Sequence, residues 1–236
     1  MLLRVVDFET TGPEGSEVIE VGLVDLEGSG RDWFVRDPRT ILFKPARAVP
    51  PSARAVHHIS DKDLAAAVPT SVPAVEAFIR ANGTADVYVA HHAEFERSFL
   101  GELASASWIC TAKAARRAWP QAPGFSNQVL RYWLELELDQ DLGLPAHRAG
   151  PDAYVTAHIL LQLLQTETIS DLVAWTTQPD VVRFGRHRGK AWTELPSDYL
   201  RWIVEESDMD ASRLRLARAE LAARGLVPAT KLGVMA

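Results

Sequence analysis

The amino-acid sequence predicts an α/β layered fold: a mixed sheet of five strands flanked by helices, followed by a small C-terminal α+β unit. Three observations lead there. The first third alternates apolar runs with short Gly-rich or polar breaks, the pattern turns helical after Pro50-Pro51 while enclosing two short apolar strands, and helices dominate from Glu94 onward. A three-stranded meander followed by helix-linked strands implies a mixed sheet with helices packed on it.

Taken in order, Leu2 to Phe8 is the first strand, and its Leu2-Leu3-Arg4-Val5-Val6 run reads as buried. Val18 to Leu26 is the second, and a third covers parts of Trp33 to Phe43. A helix is expected over Val72 to Asn82, then a short strand Val87-Tyr88-Val89-Ala90. Helices follow at Glu94 to Leu103, Thr111 to Trp119, Ser126 to Leu136 and Pro151 to Gln165, with a strand at Trp108 to Cys110. Pro151 fits a first helical position, and Asp152 lies in the first turn, where the helix dipole favours an anion. Ile159, Leu160, Leu161, Leu163 and Leu164 make that helix a core element.

Beyond it comes a break, Thr166 to Pro179, with a short helix around Asp171 to Trp175. The smaller unit is expected to hold a strand Val181 to Phe184, a Gly185/Gly189 turn, and helices Tyr199 to Glu206 and Ala211 to Arg224. The organisation is thus a domain at 1–167, a linker at 168–180, a basic unit at 181–225 and a tail at 226–236.

A chain of 236 residues with 47% hydrophobic content can bury one sizeable core plus an appendage. No apolar stretch approaches the ~20 residues of a membrane span, and the start reaches an acid too soon for a signal peptide. The expectation is a cytoplasmic protein with no membrane partner. The single cysteine, Cys110, permits neither an intrachain disulfide nor a cysteine-based zinc site and reads as a small core residue. Trp108, Trp119, Trp133 and Trp175 read as core.

Net charge is -6, yet the cations are clustered. No acid occurs between Pro38 and Ser60, beside Arg39, Lys44, Arg47 and Arg54, nor between Leu103 and Leu134, beside Lys113, Arg116, Arg117 and Arg131. Arg183, Arg186, Arg188 and Lys190 fall within eight residues. Any one cluster can be a solvated face; together they shift the balance toward a polyanionic substrate.

The chemistry concentrates in Asp7-Phe8-Glu9-Thr10-Thr11-Gly12. In a strand, residues i and i+2 point to one face, so Asp7 and Glu9 converge. Paired carboxylates repel unless a cation lies between them, and an oxygen-only pair suits Mg²⁺ or Mn²⁺. On these six residues alone a solvated strand edge is an equal reading. Two later segments can join them, His91-His92-Ala93-Glu94-Phe95-Glu96 and His147-Arg148-Ala149-Gly150-Pro151-Asp152. Glu94 and Glu96 stand about 200° apart around a helix, so only one faces inward.

These three segments together resemble the DEDD superfamily of 3′–5′ exonucleases, in its histidine-containing branch. Asp7 through Gly12 match its first motif, His91 through Glu96 approximate its second, and His147 through Asp152 match its third, in the family's order and separations. The match spans roughly residues 1 to 165. A likeness to one DNA-degrading member continues to about residue 206 through Phe184-Gly185-Arg186-His187-Arg188-Gly189-Lys190 and Tyr199-Leu200-Arg201-Trp202.

The resemblance implies a ribonuclease H-like sheet and a metal-dependent 3′–5′ exodeoxyribonuclease that hydrolyses phosphodiesters with two Mg²⁺ or Mn²⁺ ions, with DNA repair as its setting. It implies that Asp7 bridges both ions, that Glu9 and Asp152 hold the one activating water, that Glu96 supports the second, and that His147 is the general base. Phe8, Thr10 and Thr11 would receive the terminal nucleotide, with His91, His92 and Phe95 as further substrate contacts. Arg186, Arg188 and Lys190 would touch DNA outside the catalytic centre. The partner is DNA with a 3′ end, single-stranded or at a duplex end; RNA and a homodimer are open. Glu96 stands where the family has Asp, and His92 where it has Asn. Two other readings remain, an exoribonuclease of the same fold and a catalytically weakened nucleic-acid-binding module.

Overall fold

The computed structural model describes residues 1–12, 15–81, 83–182, 184–206, 209 and 211–226. They divide into two units: Met1–Gly12 with Ser16–Thr176, and a second that takes in the chain from Thr177.

The first unit is built on a seven-stranded sheet. Strand β1 (Leu2–Thr10) pairs antiparallel with β2 (Val18–Ser29), whose far edge is taken by β3 (Asp32–Val35) and β4 (Arg39–Lys44) in succession. β5 (Val68–Pro69) adds parallel to β4, while on the other side of β1 lie β6 (Val87–Ala90) and β7 (Trp108–Cys110), both parallel. The order is β5-β4-β2-β1-β6-β7, with β3 beside β2. The third strand expected across Trp33 to Phe43 is two strands. Pro38 sits in the gap, where it has no N–H to offer a ladder. That split and the two-residue β5 raise the strand number from five to seven.

Alternation along the strands sorts the core into two layers. Leu3, Val5, Val24, Leu26, Val87, Val89 and Ile109 face helices α4 (Thr111–Ala118), α5 (Asn127–Trp133), α6 (Ala149–Leu163) and α7 (Ile169–Thr177). Val6, Phe8, Val21, Leu23, Tyr88, Ala90, Trp108 and Cys110 face α2 (Val72–Arg80) through Val75 and Ile79. Each fully buried Leu or Ile in these layers stabilises the fold by about 1.5–3 kcal/mol. Trp119, Trp133 and Trp175 pack against the first layer.

A buried ion pair lies on the second-layer side of the sheet. Arg4 is fully buried and grips its cross-strand partner Asp25 through two hydrogen bonds of 2.7 and 2.9 Å, while donating to the carbonyls of Ile79 and Gly83. Arg39 donates to the same carboxylate at 2.6 Å.

Some boundaries differ from those the sequence suggests. A helix α1 (Pro51–His57) starts at the second proline of the pair, and α2 ends at Arg80, with Asn82 outside the described residues. The helix expected over Glu94 to Leu103 is α3 (Ala93–Arg97) followed by a 3-10 turn at Glu102–Ser105. Buried Glu76 captures the N–H groups of Gly101 and Leu103 at 2.8 and 2.9 Å, which holds the chain out of the helical path. α6 starts at Ala149, so Pro151 occupies its third position, still within the first turn where its missing N–H costs nothing. α7 fills most of the stretch expected as a linker, and its Leu172 is fully buried in the first layer.

In the second unit, Val182, Trp192, Leu195, Tyr199, Leu200, Ile203, Ala217 and Leu221 form the core of α8 (Ser197–Glu205), α9 (Ala211–Ala223) and the preceding loop. The strand expected at Val181 to Phe184 is a single bridge, Val181 to Ala191. Arg183 and residues 227–236 of the expected tail lie outside the described residues. Among the described residues no helix is long and apolar enough to cross a membrane.

Candidate active site

Asp7 and Glu9 extend the Leu3-Val5 face of β1, so they emerge on the side of the sheet that α6 covers. Register places Gly22 opposite Asp7 and Glu20 opposite Glu9. Gly22 is what lets α6 come down. A Cβ there would lie 2.0 Å from the Ala149 carbonyl oxygen and 2.5 Å from the Gly150 nitrogen. With the helix seated on the strand, Asp152 in its first turn joins the pair, and carboxylate oxygens of Asp7, Glu9 and Asp152 all lie within 4.8 Å of one another.

Like charges directly opposite in an antiparallel pair are unfavourable, which makes the Glu9–Glu20 pairing a problem that needs a cation. Arg148 supplies it. Its guanidinium donates to both Glu20 oxygens, at 3.0 and 2.5 Å, and the Ala149 N–H donates to Oε2 at 2.9 Å. Glu20 therefore clamps the residues that link His147 to α6. His147 holds a left-handed backbone, φ 60°, and its N–H donates to Asp152 Oδ2 at 2.8 Å. The other Asp152 oxygen accepts from Gln128 Nε2 at 3.0 Å, and Asn127 donates to the Asp152 carbonyl at 3.0 Å. The His147 side chain is exposed.

From α3, Glu96 turns inward and is buried, while Glu94 is exposed and ion-paired with Lys113. Glu96 stands outside the 4.8 Å triad, yet its charge acts on Asp7. Burial, then Asp152, Glu96, Glu9 and Glu20, hold the Asp7 carboxyl well above the usual range. Burial and the charges of Asp152 and Glu20 push Glu9 up to about 8, against the opposing pull of Arg148. Burial also raises Asp152, opposed by the His147 N–H. An all-carboxylate set whose members raise one another's proton affinity matches a hard divalent cation, which takes oxygen ligands and relieves that repulsion.

The remaining sequence-predicted residues fall in three places. Phe8 is buried edge-on against Phe99 at 6.2 Å, and Phe95 meets the same ring at 5.0 Å. Thr10 donates its hydroxyl to the Gly12 carbonyl at 2.8 Å, while Thr11 Oγ1 accepts from the Glu17 N–H at 2.9 Å, so both stabilise the turn after β1. His91 is buried with one ring nitrogen on the Thr111 hydroxyl at 2.9 Å and the other on the Phe125 carbonyl at 2.8 Å; half-buried His92 packs against it at 5.0 Å. Arg186, Arg188 and Lys190 are exposed in the second unit. Glu20, Gly22, Gln128 and Arg148 were not anticipated as parts of the site. Two of them carried a signal, since an acid and a glycine interrupt the apolar run Val18 to Leu26.

Comparison with known proteins identifies the family. Residues 5–160 match the model of the RNase T family, described as Exonuclease. Exodeoxyribonuclease 10 of Escherichia coli (strain K12) is 33% identical over 223 residues, covering 91% of this chain and 96% of that protein. A structure of Exonuclease X in complex with 5′ overhanging duplex DNA superimposes with a TM-score of 0.62 at 32% identity, over 74% of this chain and 99% of that one. The nuclease domain of 3′hExo, a DEDDh family member bound to rAMP, shares the fold at 16% identity, with a TM-score of 0.52 over 70% of this chain and 92% of its own.

Proposed function

The chain belongs to the exonuclease family, whose members of this type are 3′–5′ phosphodiester hydrolases, and we propose that this protein is a divalent-metal-dependent exodeoxyribonuclease acting on DNA 3′ ends. The convergence of Asp7, Glu9 and Asp152 carries the reading. DNA is favoured as substrate because the relative matched over 91% of the chain is named an exodeoxyribonuclease and because the matched Exonuclease X is in complex with 5′ overhanging duplex DNA.

Asp7, Glu9 and Asp152, with Glu96 beside them, would hold Mg²⁺ or Mn²⁺, two ions in this reading. Divalent ions held there would supply positive charge that acidifies the attacking water and offsets charge on the departing 3′ oxygen. The chain's own residues do the rest. The ring of His147 takes a proton from the attacking water as its oxygen bonds to phosphorus and the P–O3′ bond breaks; the departing 3′ oxygen takes a proton from solvent, and the terminal nucleotide leaves as a 5′ monophosphate. Backbone around Phe8 and Thr10 seats the terminal nucleotide. Glu20 and Arg148 hold His147 and Asp152 in register by anchoring the chain between β2 and α6.

The test uses matched DNA and RNA strands labelled at either end, incubated with Mg²⁺ or Mn²⁺. A 5′ label should give a descending ladder and a 3′ label should appear at once as mononucleotide, on DNA and only with metal. Internal fragments would contradict exonucleolytic action. Faster loss of the RNA strand would overturn the choice of DNA.

A further inference from the structure

We propose that the C-terminal unit carries a second nucleic-acid site, an aromatic platform on Tyr199 and Trp202 that stacks an unpaired base of the DNA substrate while Arg186, Arg188 and Lys190 meet its phosphates.

Trp202 projects from α8 with 44% of its surface exposed. Its ring stacks on Tyr199, centroids 5.3 Å apart and planes 24° from parallel. Tyr199 is buried, so the platform is anchored in the core while its outer ring is open. The Arg186 guanidinium lies 5.2 Å from the Tyr199 centroid, and the His187 ring meets Tyr199 at 4.5 Å. Arg186, Asp198, Tyr199 and Trp202 border an open surface depression beside the rings, with about 370 Å³ of space.

The loop above the rings is shaped for close approach. Gly185 is left-handed at φ +59°, a conformation that favours glycine, and its Cα faces the Tyr199 hydroxyl, which a Cβ there would approach to 2.8 Å. The loop is pinned by the Val182 N–H to the Lys190 carbonyl at 2.8 Å and the Gly189 N–H to the Val182 carbonyl at 2.7 Å. Arg188 and Lys190 are exposed, and among the described residues neither they nor Arg186 form an ion pair. Asp198 accepts the Tyr199 N–H at 2.9 Å and offers an acceptor to the amino group of an inserted base.

An open aromatic face beside cations is how single strands are held with little sequence preference, since every base has a π-face and every nucleotide a phosphate. A duplex keeps its bases stacked inside and offers only its ends. The occupant is therefore a single-stranded segment. The choice of DNA rests on the exonuclease reading; the platform itself does not.

The test is binding of a 5′-fluorescein dT15 strand to the full chain in EDTA, by anisotropy, against a blunt duplex of equal length. Trp202→Ala should weaken single-strand binding about 5- to 150-fold, and Trp202→Phe should restore most of it. The triple change Arg186→Gln, Arg188→Gln, Lys190→Gln should lower the slope of log affinity against log salt by up to about 2. Equal affinity of wild type and Trp202→Ala overturns the platform, as does failure of Trp202→Phe to recover affinity while the protein remains folded by its thermal melt. Wild-type degradation in Mg²⁺ is scored separately, so its absence would sink the exonuclease reading and leave the binding comparison standing.

Discussion

Replacing Gly22 by Ala probes how the site is assembled without touching a carboxylate. The new methyl would start 2.0 Å from the Ala149 carbonyl oxygen and 2.1 Å from its carbon, both helix backbone that cannot rotate aside. An ordinary contact is about 3.5 Å, so the start of α6 must retreat by about 1.5 Å. Asp152 travels with that turn, away from Asp7, which lies opposite Gly22 in the β1–β2 register. Overpacking of this kind costs about 1–3 kcal/mol of stability, while a displacement of about 1 Å in a reacting constellation costs about 100-fold in rate. Single-turnover nucleotide release from labelled DNA, with urea melts of both proteins, reads the two effects apart. A Gly22→Ala protein that melts earlier yet cleaves within twofold of wild type would refute the view that this contact sets the catalytic geometry.

Other outcomes follow from the same structure. Glu20→Gln removes the countercharge from Arg148 and should lower stability by about 1.5–3 kcal/mol, together with a fall in cleavage rate measured at saturating metal. Asp25→Ala should cost about 3–5 kcal/mol in urea melts, because it strips the charge partner from fully buried Arg4. Glu96→Asp should keep metal-dependent cleavage and Glu96→Gln should lose most of it, since the charge that acts on Asp7 disappears in the second change only. The pH response has a definite sign. Glu9 is raised from 4.5 to about 8, so the native protein retains a proton that the unfolded chain gives up. Stability of the metal-free protein should therefore fall as pH rises from about 4.5 to about 8 and level off above, while stabilisation by added Mg²⁺ grows over the same interval; melts at pH 5, 7 and 9 with and without metal measure both.

Much of the layered architecture is visible in local pattern, because β1, β2, β6 and β7 are apolar runs and α6 is an apolar helix with Pro151 and Asp152 in its first turn. Convergence of Asp7 and Glu9 is likewise a local matter of strand periodicity. What was hidden depends on contacts between distant segments. Glu20 reads as an odd acid in a buried strand until α6 brings Arg148 to it, 128 residues later in the chain. Gly22 reads as a weak strand residue until the helix backbone arrives above it. The early end of α3 depends on the Glu76 carboxylate reaching Gly101 and Leu103 from another helix. His91 is half of a motif in sequence, whereas in the structure it ties the start of α4 to the Phe125 loop.

On the proposed reading the Asp7, Glu9 and Asp152 carboxylates hold divalent metal for exonucleolytic hydrolysis. Mn²⁺ titration followed by electron paramagnetic resonance, run beside cleavage of 5′-labelled DNA for wild type and Asp7→Asn, decides it. Wild type should bind Mn²⁺ and produce the ladder, and Asp7→Asn should lose both while melting as a folded protein. Undiminished Mn²⁺ binding together with undiminished cleavage in Asp7→Asn would contradict it.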